Sequence, residues 1–249
     1  LSGHSKWSTI KHKKAALDAR RGKLWSKLAR NVTMCAKRGG NPDDNPNLRL
    51  AIDKAKAANM PKDTIEKAIK KGTGELAGES YEEILYEGYG PGGAAIMAKI
   101  VTDNRNRTAG EVKKIFERAG GNLGASGCVA YLFSPKGVII VAADKISEDG
   151  LMELALEAGA DDVSSSELIH EITTSPQQFV SVKESLEAAN IPVQSADLSM
   201  LATTSVALDL DTARKVMKLI DALEDHDDVD DVYTNTDISD EIVKQLSKE

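Results

Sequence analysis

The chain has 249 residues, 41% hydrophobic and 29% charged, which excludes a wholly disordered chain and suggests two domains or three small ones at roughly 100–200 residues each. Its two cysteines, Cys35 and Cys128, form no CxxC pair, which excludes a zinc ribbon and a disulfide-rich secreted scaffold; apolar runs such as 94–98 and 138–143 are too short for a membrane span, and no charged-then-apolar leader follows Leu1, so a cytoplasmic location is expected. The net charge of −7 is unevenly spread: residues 1–74 hold 18 Lys+Arg against 6 Asp+Glu, residues 75–249 hold 14 against 33, and this basic head on an acidic body points to a polyanion partner for the head.

In chain order, the head reads as short amphipathic helices. Segments 8–20 and 23–38 are rich in Ala, Leu, Lys and Arg, with Gly22 as a break, and Gly39-Gly40-Asn41-Pro42 stops the second. Pro46 opens a helix with Leu48, Ala51, Ile52 and Ala55 at helical spacing. Pro61 opens another that carries Ile65, Ala68 and Ile69 inward and stops at Gly72. Residues 72–80, rich in Gly and acid, read as a linker.

The body alternates strands and helices. Segments 81–89 and 94–102 are β-like and joined by Gly90-Pro91-Gly92-Gly93, a hairpin signal. A helix over 108–119 and strands over 128–133 and 137–142 follow. Then come a helix over 148–158, strand character in 161–174, a helix over 176–189 closed by Asn190, and a strand over 193–200. The chain ends with a strand over 206–210, a helix over 211–224, a strand over 229–233 and a short helix over 240–248. Segments 94–133 and 206–233 each read as a βαβ half, and two such halves can close into one ferredoxin-like sheet. The middle of the chain then forms a second such unit inserted between them. No glycine-rich phosphate turn follows a strand in the pattern a doubly wound sheet needs.

Five motifs bear on binding. Around Gly3-His4-Ser5-Lys6-Trp7 and Ile10-Lys11-His12-Lys13-Lys14, the lysines suit phosphates. Trp7 offers either a flat ring for a base or a core anchor. His4 and His12 lack a third ligand at useful spacing, so no metal is expected. In the helix from Lys23, a projection from Leu17 puts Leu24, Leu28, Val32 and Cys35 between roughly 340° and 60°. Lys23, Lys27, Arg30, Lys37 and Arg38 fall at roughly 200–300°. That cationic face points away from the core and contains no acid, whereas a merely solvated helix mixes Glu with Lys. Trp25 reads as core, and Cys35 as an inert small hydrophobe. Thr102-Asp103-Asn104-Arg105-Asn106-Arg107-Thr108 reads either as an anion site at a helix start or as a capped turn with exposed arginines. Gly120-Gly121-Asn122-Leu123-Gly124-Ala125-Ser126-Gly127 lacks the Lys-Ser/Thr of a nucleotide loop and reads as a turning connection. The acidic run Glu224, Asp225, Asp227, Asp228, Asp230, Asp231 lacks the pattern of a calcium loop and reads as a solvated helix end. No catalytic constellation stands out: His170 and His226 have no Cys or Ser-containing elbow nearby.

The motif Gly3–Trp7 with Ile10-Lys11-His12, then Arg21-Gly22-Lys23, Ser26-Lys27-Leu28, Asn59-Met60-Pro61, Tyr86-Glu87-Gly88-Tyr89-Gly90-Pro91-Gly92-Gly93, 102–108, 120–133 and Ala158-Gly159-Ala160-Asp161-Asp162-Val163, resembles the YebC/PmpR family over essentially the whole chain. The resemblance implies a helical head, two α/β units with the middle of the chain inserted, and a cytoplasmic bacterial regulator of gene expression. Some members are described as DNA-binding transcriptional regulators. The mitochondrial relatives are translational activators, and bacterial members are linked to the ribosome and to relief of stalled elongation. The family is not known as an enzyme family.

The expectations are then an α+β fold, with an N-terminal helical bundle over 1–77, a discontinuous ferredoxin-like domain over 78–136 and 203–249, and an inserted one over 137–202. The expected function is non-enzymatic and cofactor-free binding of DNA, with ribosomal RNA as the alternative; the sequence leaves the oligomeric state open and favours a monomer. The expected surface is Lys6, Trp7, Lys11, Lys13, Lys14, Arg20, Arg21, Lys23, Lys27, Arg30, Lys37 and Arg38, with Arg105 and Arg107.

Overall fold

The computed structural model describes the backbone of residues 17–78 and 80–247, and side chains from residue 22 onward. The expected helix over 8–20 therefore lies mostly outside the described residues. The head contains α1 (Leu17–Ala36), α2 (Pro46–Ala57) and α3 (Lys62–Thr73). Gly22 does not break α1. A helical glycine costs only about 1 kcal/mol relative to alanine, and the contacts that follow it, from Lys23 onward, hold the helix against the body. Asn45 ties two helices together: its side chain accepts from the Leu48 amide at 3.1 Å and donates to the carbonyls of Cys35 at 2.9 Å and Gly39 at 2.8 Å. It thus caps the start of α2 and the end of α1 at once. Val32, Ala36, Leu48, Ile52, Ala55, Met60 and Ile65 form the head's core. Gly72 lets α3 approach α1 closely, since a Cβ there would lie 2.3 Å from the Thr33 carbonyl oxygen.

The body opens with the hairpin β1 (Glu82–Tyr89) and β2 (Ala95–Thr102), paired antiparallel from Glu82↔Thr102 to Tyr89↔Ala95. α4 (Arg105–Arg118) and the short β3 (Asn122–Leu123) follow, and β9 (Val229–Thr234) returns to flank β2, giving the order β3-β1-β2-β9. β2 is buried on both faces. Ala94, Ile96, Ala98 and Ile100 lie under α4, α7 (Leu210–Glu224) and α8 (Asp240–Leu246), while Ala95 and Met97 pack with Val129, Phe133, Met200 and Tyr233. Two-sided burial explains why β2 reads as a nearly unbroken apolar run rather than an alternating one.

A second sheet joins β4 (Phe133–Ala142), β5 (Asp162–Ser165), β6 (Ile169–Thr174) and β7 (Val193–Ala202) in the order β5-β6-β4-β7. With α5 (Glu148–Glu157) after β4 and α6 (Phe179–Ala188) after β6, this is the ferredoxin-like βαββαβ order. Ile139, Val141, Leu151, Ile172, Val182 and Leu186 fill its core. The molecule is thus α+β.

Two expected strands differ. Segment 128–133 is no strand: Ala130–Leu132 forms a single 3-10 turn. The reason is Glu87 on β1, whose buried carboxylate takes the amides of Gly127 at 2.7 Å, Val129 at 2.8 Å and Ala130 at 2.7 Å. Those amides are no longer available to a sheet ladder. Burial alone would raise the Glu87 pKa; the three amide donors hold it below the ordinary carboxylate value. The glycine-rich segment before it is therefore a turning connection anchored on an internal carboxylate. Segment 206–210 shrinks to β8 (Val206–Ala207), which pairs parallel with β10 (Thr236–Asp237) away from β9's sheet. Asp209 ends it by capping α7, accepting from the Thr212 amide at 2.8 Å.

Candidate nucleic-acid interface

Lys23, Lys27 and Arg30, the middle of the cationic face of α1, do not stand free in solvent. They dock against the acidic run that follows α7. Arg30 donates to Asp228 Oδ1 at 2.8 Å and to the Val101 carbonyl at 3.3 Å. Asn31 donates to both carboxylate oxygens of Asp230, at 3.3 and 3.2 Å. Lys23 bonds the Asp225 carbonyl and pairs with Asp227 at 3.2 Å, and Lys27 bonds the Glu224 carbonyl. Lys37 donates to the Tyr81 carbonyl at 2.6 Å. Two expectations are corrected together. The face lacks acids because its acids come from the body, and residues 224–231 are a docking surface rather than a solvated end. Burial and the neighbouring Lys23 push the Lys27 ammonium below its ordinary pKa.

Asp228 is the hub. It is buried, and its second oxygen accepts from Arg107 at 2.8 Å, Thr108 at 2.7 Å and Thr102 at 3.2 Å. Burial pushes its pKa up, but the hydrogen bonds from Arg107, Thr108 and Arg30 outweigh that and hold it at about 2. Arg107 also reaches Asp103 at 2.9 Å, while Asn104 caps α4 by accepting from the Arg107 amide at 3.1 Å. The 102–108 turn is thus a capped helix start, and its Arg107 faces an internal carboxylate.

Glu111, His226 and Asp228 lie close enough together to suggest a metal triad. Their bonding speaks against it. His226 Nδ1 accepts from the Asp228 amide at 3.1 Å, Nε2 faces Glu111 at 2.9 Å, and both Asp228 oxygens are held by arginines. His170 is equally structural, between Ser165 at 2.7 Å and the Ile146 carbonyl at 3.0 Å.

The docked head and body enclose an open cleft of about 970 Å³ between α1 and α3 on one side and α4 with residues 225–228 on the other. Lys67 and Lys71 on α3 and Lys114 and Arg118 on α4 line it and are exposed. None of the four makes a side-chain hydrogen bond or ion pair among the described residues. Sequence reasoning missed these residues. The available signal was two like-charged pairs four residues apart, an arrangement that destabilises a helix unless an anion relieves it.

Of the other expected surface residues, Lys6, Trp7, Lys11, Lys13 and Lys14 lie outside the described residues, as do the side chains of Arg20 and Arg21 on α1. Arg38 and Arg105 are exposed. Trp25 packs on the head's core and donates to the Ala58 carbonyl at 2.9 Å. Cys35 packs there too, and burial raises its thiol pKa. No described helix is long and apolar enough to cross a membrane.

Comparisons with known proteins agree with this architecture. Residues 5–75 match the family model described as the TACO1/YebC protein N-terminal domain, and residues 81–236 match that of the TACO1/YebC second and third domain. A protein of Geobacter sulfurreducens named "probable transcriptional regulatory protein" is 55% identical over 247 residues, covering 99% of this chain and 100% of the relative. One of the same name from Persephonella marina is 53% identical over 250 residues, at 99% and 100% coverage. The crystal structure of a conserved hypothetical protein from Aquifex aeolicus superposes with a TM-score of 0.83 at 52% identity, covering 93% of this chain and 96% of that one. With both family models matched along its length and relatives of this identity matched end to end, the chain belongs to the TACO1/YebC family.

Proposed function

We propose that the chain is a non-enzymatic, cytoplasmic regulator of gene expression that binds nucleic acid, DNA in the first place, through its basic head. The observation that carries this reading is the cationic surplus left after docking. The head holds 18 Lys+Arg against 6 Asp+Glu. The body's acidic run takes up Lys23, Lys27 and Arg30, yet exposed Arg38, Lys67 and Lys71 keep no ion pair among the described residues. To these the reading adds Lys6, Trp7, Lys11, Lys13, Lys14, Arg20 and Arg21, and Arg105 from the body. It assigns Lys23, Lys27, Arg30 and Lys37 to holding the head on the body, and Arg107 to fixing Asp228 within the body. The name shared by the relatives supports a transcriptional role.

The reading divides the chain into a head over 1–77, a discontinuous domain over 78–136 and 203–249, and an inserted one over 137–202. Separate cores in the head, under the first sheet and under the second sheet support three units, with the second sheet beginning at Phe133, four residues before 137.

The test is titration of the full chain with labelled duplex DNA and with a ribosomal RNA fragment across a salt series. If about four to six phosphates are neutralised, log K falls against log salt with a slope of roughly −3 to −5. Lys11→Glu/Lys13→Glu/Lys14→Glu flattens it. Salt-independent or absent binding to both nucleic acids removes the reading. Sedimentation of cell lysate separates the targets: co-migration with ribosomal particles, with RNA bound tighter than DNA, replaces DNA by ribosomal RNA.

A further inference from the structure

Resting on that nucleic-acid reading, we propose that the cleft between α3 and α4 seats a single strand of nucleic acid, with Lys67, Lys71, Lys114 and Arg118 on its phosphates and Tyr81 stacked against a base. Charge points to an anionic ligand. The cleft's carboxylates are mostly engaged by the protein itself: Asp228 by Arg30 and Arg107, Asp103 by Arg107, Asp227 by Lys23, and Glu111 by His226. The four cations are exposed and unpaired among the described residues, and against them the Asp225 carboxylate alone lacks such a partner, so the cleft keeps a cationic surplus. Each pair sits one helical turn apart, where like charges repel. A ligand carrying successive anions relieves both pairs at once; a single anion relieves one.

Shape and chemistry then choose the strand. About 970 Å³ is the size of a large small-molecule site and admits a few nucleotides. Tyr81 lines the same cleft and is half-buried, with its carbonyl fixed by Lys37 at 2.6 Å. An aromatic face between cationic walls suits exposed bases on a flexible backbone, and a duplex hides its base faces. RNA and opened DNA share this chemistry.

The experiment is fluorescence anisotropy on the full chain with oligo(U), oligo(dT) and a blunt duplex of equal length. The expected result is tighter binding of a strand than of the duplex, and the preferred oligonucleotide names the sugar. Lys114→Glu/Arg118→Glu weakens strand binding and flattens the salt slope by about 1.4, two phosphates at about 0.7 each. Lys67→Glu/Lys71→Glu does the same. Tyr81→Ala weakens it about fivefold to 150-fold, and Tyr81→Phe restores it. If a charge reversal disturbs folding, Lys114→Gln/Arg118→Gln carries the test. Unchanged strand affinity and slope in these variants, while Lys11→Glu/Lys13→Glu/Lys14→Glu loses binding, overturns the cleft and leaves the nucleic-acid reading standing. No binding of any oligonucleotide by the unaltered chain overturns both.

Discussion

Two cationic surfaces of this protein have similar residues and opposite fates. The face of α1 with Lys23, Lys27 and Arg30 is met by residues 224–231 of the body, and its partly buried arginine sits on a buried carboxylate. The walls of the cleft, with Lys67, Lys71, Lys114 and Arg118, are left without partners among the described residues. The first surface is spent on internal architecture and the second is free for a ligand. A count of cations therefore gives the potential for binding, and only the placement of the acids says where it is realised.

The comparison can be broken first at Asp228. Asp228→Ala leaves Arg30 facing no charge in a buried site, and it should cost about 3–5 kcal/mol in urea unfolding. A loss under 1 kcal/mol means that the docked face contributes little. Gly72→Ala comes next. Its Cβ would lie 2.3 Å from the Thr33 carbonyl oxygen, so α1 and α3 must separate, at a cost of about 1–3 kcal/mol. Glu87→Gln exchanges a carboxylate serving three amides for a group that brings two donors of its own, and should lose about 1–3 kcal/mol; the comparison to make is with Glu83→Gln on the same strand, which should be nearly silent. The pH dependence is smaller. The pKa of Asp228 is lowered from 3.8 to about 2, so its contribution is complete above about pH 4 and is lost as pH falls through 2. Acid unfolding of the chain should show this loss, and an Asp228→Asn variant should not. At the bottom of the scale, Lys114→Gln/Arg118→Gln should move stability by less than about 0.5 kcal/mol.

Much of the fold is legible in the sequence because local signals agree with the tertiary packing. Gly39-Gly40, Asn45-Pro46, Pro61 and Asn190 mark ends that the structure uses. The apolar run 94–102 announces a strand buried on both faces. What the sequence hides are long-range substitutions of one partner for another. Glu87 captures amides 40 residues downstream and removes a strand that the pattern Cys128–Phe133 otherwise favours. Asp228 draws Arg30 and Arg107 from 198 and 121 residues away. A helical projection shows that the cationic face of α1 lacks acids and cannot show that the acids arrive from the far end of the chain. The cleft cations leave one local trace, a like-charged pair on each of α3 and α4, and only the fold sets the two pairs across from one another.

The most direct test pits the two surfaces against each other with equal charge removed. Lys27→Gln/Arg30→Gln and Lys114→Gln/Arg118→Gln each delete two cations, and both variants are measured for urea stability and for the salt dependence of oligonucleotide binding. The account predicts that the first pair loses stability and keeps the salt slope of the unaltered chain, while the second keeps its stability and flattens the slope by about 1.4. A flattened slope at full stability for Lys27→Gln/Arg30→Gln, with Lys114→Gln/Arg118→Gln binding normally, contradicts it.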